Sequence, residues 1–301
     1  MNKKKYSLIV PVIVDDLKKI LTNMDYYFGF LPIKEIVFIG DIRVKNALPE
    51  RECLRFIDER ELVDYKDVER CIADRKPIAQ RRTGWYLQQF IKMKYAFYCE
   101  DEYYLLWDAD TIPTHQIHLF TDGHPIFDMK TEFHKAYFDT IEKLFPGAKR
   151  NIKKSFIAEH MLVKTSIMKA MVNKIEENDE ISGRFFYEKI ISAIEYEEIE
   201  LSGFSEFETF GNFVVDYAPD LYRMRKWTSM RYGGFFFDQN EKINENTIAW
   251  LAQNYDAVSM EKGHKVMFNL GNKNPENMLW KFSPKCLEVL AAVYRIKLKV
   301  F

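Results

Sequence analysis

Residues 103–113 constrain this chain more than any others. Tyr103-Tyr104-Leu105-Leu106-Trp107 is an uninterrupted apolar run that ends abruptly in Asp108-Ala109-Asp110, followed by Thr111-Ile112-Pro113. Tyr, Leu and Trp suit a buried strand and Asp does not, so the strand is expected to stop where the carboxylates begin. Two acids are thereby placed at the C-terminal mouth of a strand. In an open α/β sheet that edge is where ligands bind, and paired carboxylate oxygens there suit a hard divalent cation holding a diphosphate. A solvated turn closed by Pro113 is the bland alternative, and the apolar run directly before the acids weighs against it.

The flanking sequence fits such a sheet. Ser7 to Val14 reads as a buried parallel strand, followed by a helical pattern through Leu17, Ile20, Leu21, Met24 and Phe28. Glu35 to Ile39 and Cys53 to Ile57 read as strands and Tyr65 to Ala73 as a helix, while Thr83 is placed to N-cap a helix reaching about Tyr98. Strands alternating with helices indicate an α/β fold with a mostly parallel sheet flanked by helices. Beyond Pro113 the pattern predicts a strand over His124 to Lys130 and helices over Glu132 to Leu144, Ser166 to Asn178, Arg184 to Ile194 and Asn244 to Asn254. A strand over Ala257 to Met260 and a mainly helical tail from Pro275 complete it. No repeat or Gly/Pro/Ser-rich linker intervenes, so one continuous unit is expected, with a nucleotide-binding half over residues 1–125 and an acceptor-binding half over 126–301.

Composition excludes several classes. With 301 residues, 47% of them hydrophobic, the chain can bury a large core. A net charge of −1 argues against a nucleic-acid binder with a basic surface. Cys53, Cys71, Cys99 and Cys286 form no zinc or disulfide spacing, which fits a reduced, cytoplasmic location. The basic start Met1 to Lys5 is followed by an apolar stretch that contains Pro11 and runs into Asp15-Asp16, unlike a signal peptide, and no run reaches the roughly 20 residues needed to span a bilayer.

Other candidates lie at intervals along the chain. Trp85, Gln89 and Lys92 share one face of the helix from Gly84, with Gln88 beside it, and amides suit sugar hydroxyls or a base edge. Arg81 and Arg82, just before that helix, suit phosphate oxygens. Glu159-His160 interrupts an apolar stretch, where an acid must be paired, either in a sugar pocket or in a core hydrogen bond. Glu206 and Glu208 stand among Phe204, Phe207 and Phe210. They share a face if the segment is extended and diverge by roughly 200° if it is helical, and a carboxylate near aromatics can serve as a base. Arg223, Arg225, Lys226 and Arg231 around Trp227 form a basic, aromatic segment suited to a diphosphate or glycan, before a Gly233-Gly234 pair that reads as a mobile loop. The tail from Lys281 to Phe301 reads as an amphipathic helix, packed on the core or lying on a membrane surface.

With these blocks in order, the chain resembles the GT-A glycosyltransferases, in which a strand-terminal Asp-x-Asp holds a metal and the diphosphate of a nucleotide-sugar. More narrowly, Gly84-Trp85-Tyr86-Leu87-Gln88-Gln89, Trp107-Asp108-Ala109-Asp110-Thr111, Ala158-Glu159-His160-Met161 and Ser205-Glu206-Phe207-Glu208-Thr209-Phe210-Gly211-Asn212 resemble the blocks of the bacterial DUF6492-type family, from about residue 6 to about 265. The resemblance implies a GT-A (Rossmann-like) fold and transfer of a sugar from a nucleotide-sugar, a UDP-sugar by expectation, to a hydroxyl of a surface polysaccharide or lipid-linked glycan precursor. It further implies Mn²⁺ or Mg²⁺ on Asp108 and Asp110 with His264 as a third ligand. Asp15, Arg82, Trp85, Gln88 and Gln89 would position the donor, Glu206 or Glu208 would act as catalytic carboxylate, and Glu159, His160 and Asn212 would line the sugar or acceptor pocket. The last thirty or so residues lie outside the resemblance, and contact of the tail with the inner membrane face stays an alternative to packing on the core. A sugar-1-phosphate nucleotidyltransferase is the nearest rival, disfavoured because Val10 to Asp16 carries no glycine to cradle a triphosphate. A non-catalytic glycan-binding protein on a degenerate transferase fold is the other.

Overall fold

The structure, a computed structural model, describes residues 4–261, 266 and 283–300. The strands are β1 (Tyr6–Pro11), β2 (Ile33–Gly40), β3 (Leu54–Asp58), β4 (Tyr103–Trp107), β5 (Thr111–Pro113) and β6 (Phe120–Thr121). They continue with β7 (His124–Met129), β8 (His160–Lys164), β9 (Arg223–Lys226), β10 (Ser229–Met230) and β11 (Ala257–Ser259). The helices are α1 (Val14–Thr22), α2 (Met24–Phe30), α3 (Ile42–Ala47), α4 (Tyr65–Arg75), α5 (Thr83–Lys94) and α6 (Lys135–Leu144). After them come α7 (Thr165–Glu176), α8 (Phe186–Ala193), α9 (Glu206–Tyr217), α10 (Glu245–Leu251) and α11 (Cys286–Val300).

The central sheet has the order β3-β2-β1-β4-β8, with the first four strands parallel and β8 antiparallel to β4. Period-two alternation sends each strand's side chains to both faces. Tyr104 and Leu106 join one buried cluster with residues of α4, α5, α7, α8 and α9, while Tyr103, Leu105 and Trp107 join a second with residues of α1 and α2. Helices therefore cover both faces, as the alternating pattern predicts. The antiparallel register pairs Trp107 with His160, so β8 begins at the edge where β4 ends. Two smaller sheets, β10-β11-β5 and β6-β7-β9, flank this edge. The first packs with α10 and α11 into a third cluster, to which α11 contributes Leu287 and Ala291.

Local chemistry corrects several sequence expectations. The helical pattern through Met24 and Phe28 is two helices broken at Asn23, whose Nδ2 donates to Lys19 O at 3.0 Å while its Oδ1 accepts from Ile243 N at 3.2 Å. Asn competes with the helix for its own backbone, and here it wins. Thr83 is not an N-cap but the first residue of α5, entered directly from a 3₁₀ turn over Pro77–Arg82, and its hydroxyl donates to Gln80 O. Gly233-Gly234 is not an open loop: the 3₁₀ turn Gly233–Phe235 is buried, and a Cβ on Gly233 would lie 2.7 Å from Ser259 O. Among the described residues no helix is long and apolar enough to cross a membrane.

Candidate active site

Four elements converge at the C-terminal mouth of β4. The strand stops at Trp107, whose indole donates to Thr111 O at 2.6 Å, and Asp108 N donates to Glu159 O at 2.9 Å. Asp108 is one-third exposed at its side chain. Its Oδ1 accepts from Lys92 Nζ of α5 at 2.7 Å, and the same ammonium reaches Glu206 Oε1 at the start of α9, also at 2.7 Å. Burial alone would depress the Lys92 ammonium, but Asp108 and Glu206 outweigh it and hold it above the ordinary lysine value. Burial pushes Glu206 up against the pull of Lys92, and Asp108 adds to the rise.

Asp110 has a different environment. Thr111 Oγ1 donates to its Oδ1 at 3.1 Å and Met260 N donates to its carbonyl at 2.7 Å. Burial, then repulsion from Asp108, lifts its carboxyl to about 7; Glu261 adds to the rise and Lys19 opposes it. Asp108 and Asp110 thus stand as two carboxyls in different states, the first ion-paired to Lys92 and the second hydrogen-bonded to Thr111. Oxygen-only donors of this kind fit Mg²⁺ or Mn²⁺ better than softer ions. Among the described residues no group of three or more His, Cys, Asp and Glu side chains could hold a metal, and the expected third ligand, His264, lies outside the described residues.

A sequence profile described as "Family of unknown function (DUF6492)" matches residues 43–231, a span that includes α5, β4, β8 and the start of α9. The chain belongs to this family. No curated protein matches it. Among solved structures, mouse xyloside xylosyltransferase 1 in its apo form is similar at 11% identity and a TM-score of 0.37, over 73% of this chain and 84% of that one. The PaToxG glycosyltransferase is similar at 11% identity and a TM-score of 0.35, over 71% and 70%.

The remaining expected site residues of this DUF6492 chain fall into two groups. Some remain open. Asp15 is exposed in the first turn of α1, and Gln88 is half-buried on α5. Arg82 stacks on Trp85 at 4.0 Å and donates to Leu201 O at 2.7 Å, and burial lowers its pKa. Others turn inward. Gln89 accepts from Glu206 N at 3.1 Å and donates to Trp85 O, so it orients the start of α9. Because 206–217 is helical, Glu208 diverges from Glu206 and accepts from Ser155 Oγ at 2.7 Å, Phe156 N at 3.2 Å and Asn212 Nδ2 at 3.1 Å. Glu208 thus ties α9 to the segment before β8, and Asn212 steadies its carboxylate from within the helix.

Glu159 and His160 are both buried and both partnered. Glu159 adopts φ 60°, a left-handed backbone unusual for a residue with a side chain, and such positions are over-represented at functional sites. Its carboxylate accepts from Lys130 Nζ, Trp227 Nε1 at 3.0 Å and Ser229 Oγ at 3.0 Å. His160 sits between Trp107 and Trp227, at ring distances of 4.8 and 4.3 Å, with Nε2 on Asp128 Oδ2 and Nδ1 on Ala158 O. Asp128 also takes a bidentate pair from Arg225. Although burial opposes it, Arg225 and His160 hold Asp128 below the usual carboxylate value. Two arginines of the basic segment read as suited to a diphosphate or glycan are engaged within the protein: Arg225 pairs with Asp128, and Arg231 pairs with Glu261 at 2.6 Å and Glu132 at 3.2 Å. Lys92 and Lys130 were not singled out as site residues by the sequence, although Lys92 lies on the marked face of α5; only the fold shows which carboxylates they meet.

Proposed function

We propose that this chain is a metal-dependent glycosyltransferase that moves a sugar from a nucleotide-sugar, a UDP-sugar by preference, to a hydroxyl of a glycan or lipid-linked glycan acceptor. The observation that carries the reading is the Asp108/Asp110 pair at the mouth of a central parallel strand, with Asp110 lifted to about 7 by burial and by its neighbour. Asp108 and Asp110 would hold Mn²⁺ or Mg²⁺, which when bound neutralises charge on the leaving diphosphate. Arg82, stacked on Trp85 just before α5, and the Gln88 amide on that helix would orient the donor. Trp85 stands seven residues before Lys92, about 10 Å along the helix. Glu206, its carboxylate on Lys92 and its backbone N–H on Gln89, would be the carboxylate that orients or deprotonates an acceptor hydroxyl; Glu208, bonded to Ser155 and Phe156, would hold α9.

The test is a calorimetric and thermal-shift screen of UDP, GDP, ADP and CMP with and without Mn²⁺, on the wild type and Asp110→Asn. One nucleotide is expected to stabilise the wild type only with metal, by about 2.7 kcal/mol at a hundredfold excess over its dissociation constant, and to leave the variant unmoved. Absence of nucleotide binding under every metal condition would replace this reading with that of a non-catalytic protein.

A further inference from the structure

Lys92 occupies a position that the transferase reading does not by itself require. Its side chain is 3% exposed, and its ammonium lies at equal distances of 2.7 Å from carboxylates on two different elements, Asp108 after β4 and Glu206 on α9. The Phe207 ring lies 4.4 Å from Nζ, and the Tyr104 hydroxyl donates to the Lys92 carbonyl at 3.1 Å, so both ends of the residue are fixed. Asp108 and Glu206 share this one lysine, which stands between them, while Asp110 bonds to Thr111 and is acted on by Lys19 instead.

We propose that Lys92 is a resident cation that partitions the acidic mouth: it prevents a divalent ion from bridging Asp108 and Glu206, directs that ion to the Asp110 side of Asp108, and holds Glu206 in place. The proposal rests on the reading of Asp108 and Asp110 as the metal-holding pair. Lys92 is on this view a positioning residue that acts through its two carboxylates. Its signature is one of sign. Removing the lysine charge leaves the mouth more negative and raises its attraction for a divalent ion, whereas removing the Glu206 charge leaves the whole of Lys92 to Asp108 and lowers it.

The experiment is titration of Mn²⁺ into the full chain by calorimetry, for wild type, Lys92→Met, Glu206→Gln and the double variant, with a thermal melt of each. Lys92→Met is expected to bind Mn²⁺ at least about tenfold more tightly and Glu206→Gln about tenfold more weakly, in line with the effect of one close charge. The double variant removes one charge of each sign and is expected within about threefold of wild type, because the two sites are in contact and their effects offset. It also guards against a Lys92→Met protein that fails to fold with two unpaired carboxylates, since it leaves only Asp108 without its partner. If Lys92→Met and Glu206→Gln shift affinity in the same direction, if neither shifts it, or if the double variant departs strongly from wild type, the inference is overturned while the metal reading stands. If the wild type binds no Mn²⁺, the metal reading falls and this inference falls with it.

Discussion

A carboxyl raised from 3.8 to about 7, as in Asp110, favours the proton in the folded state over a window in which the unfolded chain has already released it. Between about pH 4 and pH 7 the native protein therefore binds more protons than the unfolded one, and stability falls as pH rises through that window. Without metal, Asp110→Asn should be more stable than wild type at pH 8, by on the order of a few kcal/mol, with the gap closing toward pH 4. Denaturant melts at the two pH values check this, and an equal gap at both would refute it. At this scale the sequence was partly legible. The acids of the mouth stand out because an apolar run cannot absorb them, and a buried Glu159 demands partners. Lys92 was hidden because its meaning depends on Glu206, 114 positions away.

Between elements, the decisive contact is the one that seats α9. Gly211 faces the Phe156 ring so closely that a Cβ would lie 2.2 Å from it, while Phe156 N donates to Glu208 on the same helix. Phe156 is fully buried and has nowhere to retreat. Gly211→Ala should therefore destabilise the protein by about 1–3 kcal/mol despite the better helix propensity of alanine, as forced overpacking does. Chemical denaturation measures this, and an unchanged or raised midpoint would show that α9 is not pinned there. The sequence left this segment open between extended and helical because its aromatics suit both. The Ser205-x-x-Glu208 spacing is the signal that separates them, and Ser205 Oγ does accept from Glu208 N at 3.3 Å. Strands β1, β2 and β4 were legible because each contains a short apolar run, although the run read for β1 was carried to Val14, where α1 already begins. The two- and three-residue strands flanking the mouth were less so, since pieces that short carry no period and form only against partners.

For the molecule as a whole, the mouth draws on both halves of the chain: β8 and β11, from the second half, pair with β4 and β5 of the first. The third core reaches the site through Met260 N, which holds the Asp110 carbonyl, and it is closed by α11 through the fully buried Leu287. Leu287→Ala should cost about 2–5 kcal/mol of stability, the usual range for a buried leucine. It should leave Mn²⁺ affinity within about twofold of wild type, because no charge near Asp108 changes. A melt paired with a metal titration tests both, and lost affinity in a folded variant would mean that α11 shapes the site itself. The antiparallel placement of β8 has one more outcome. It sets His160 against Trp107, and Trp107 is the residue immediately before Asp108. An imidazole in contact with a buried indole is a quencher, and a paramagnetic ion arriving one residue away would be another. In a chain whose other four tryptophans are replaced by Phe, the emission of Trp107 would be an optical gauge of whatever occupies the mouth, readable without attaching a label.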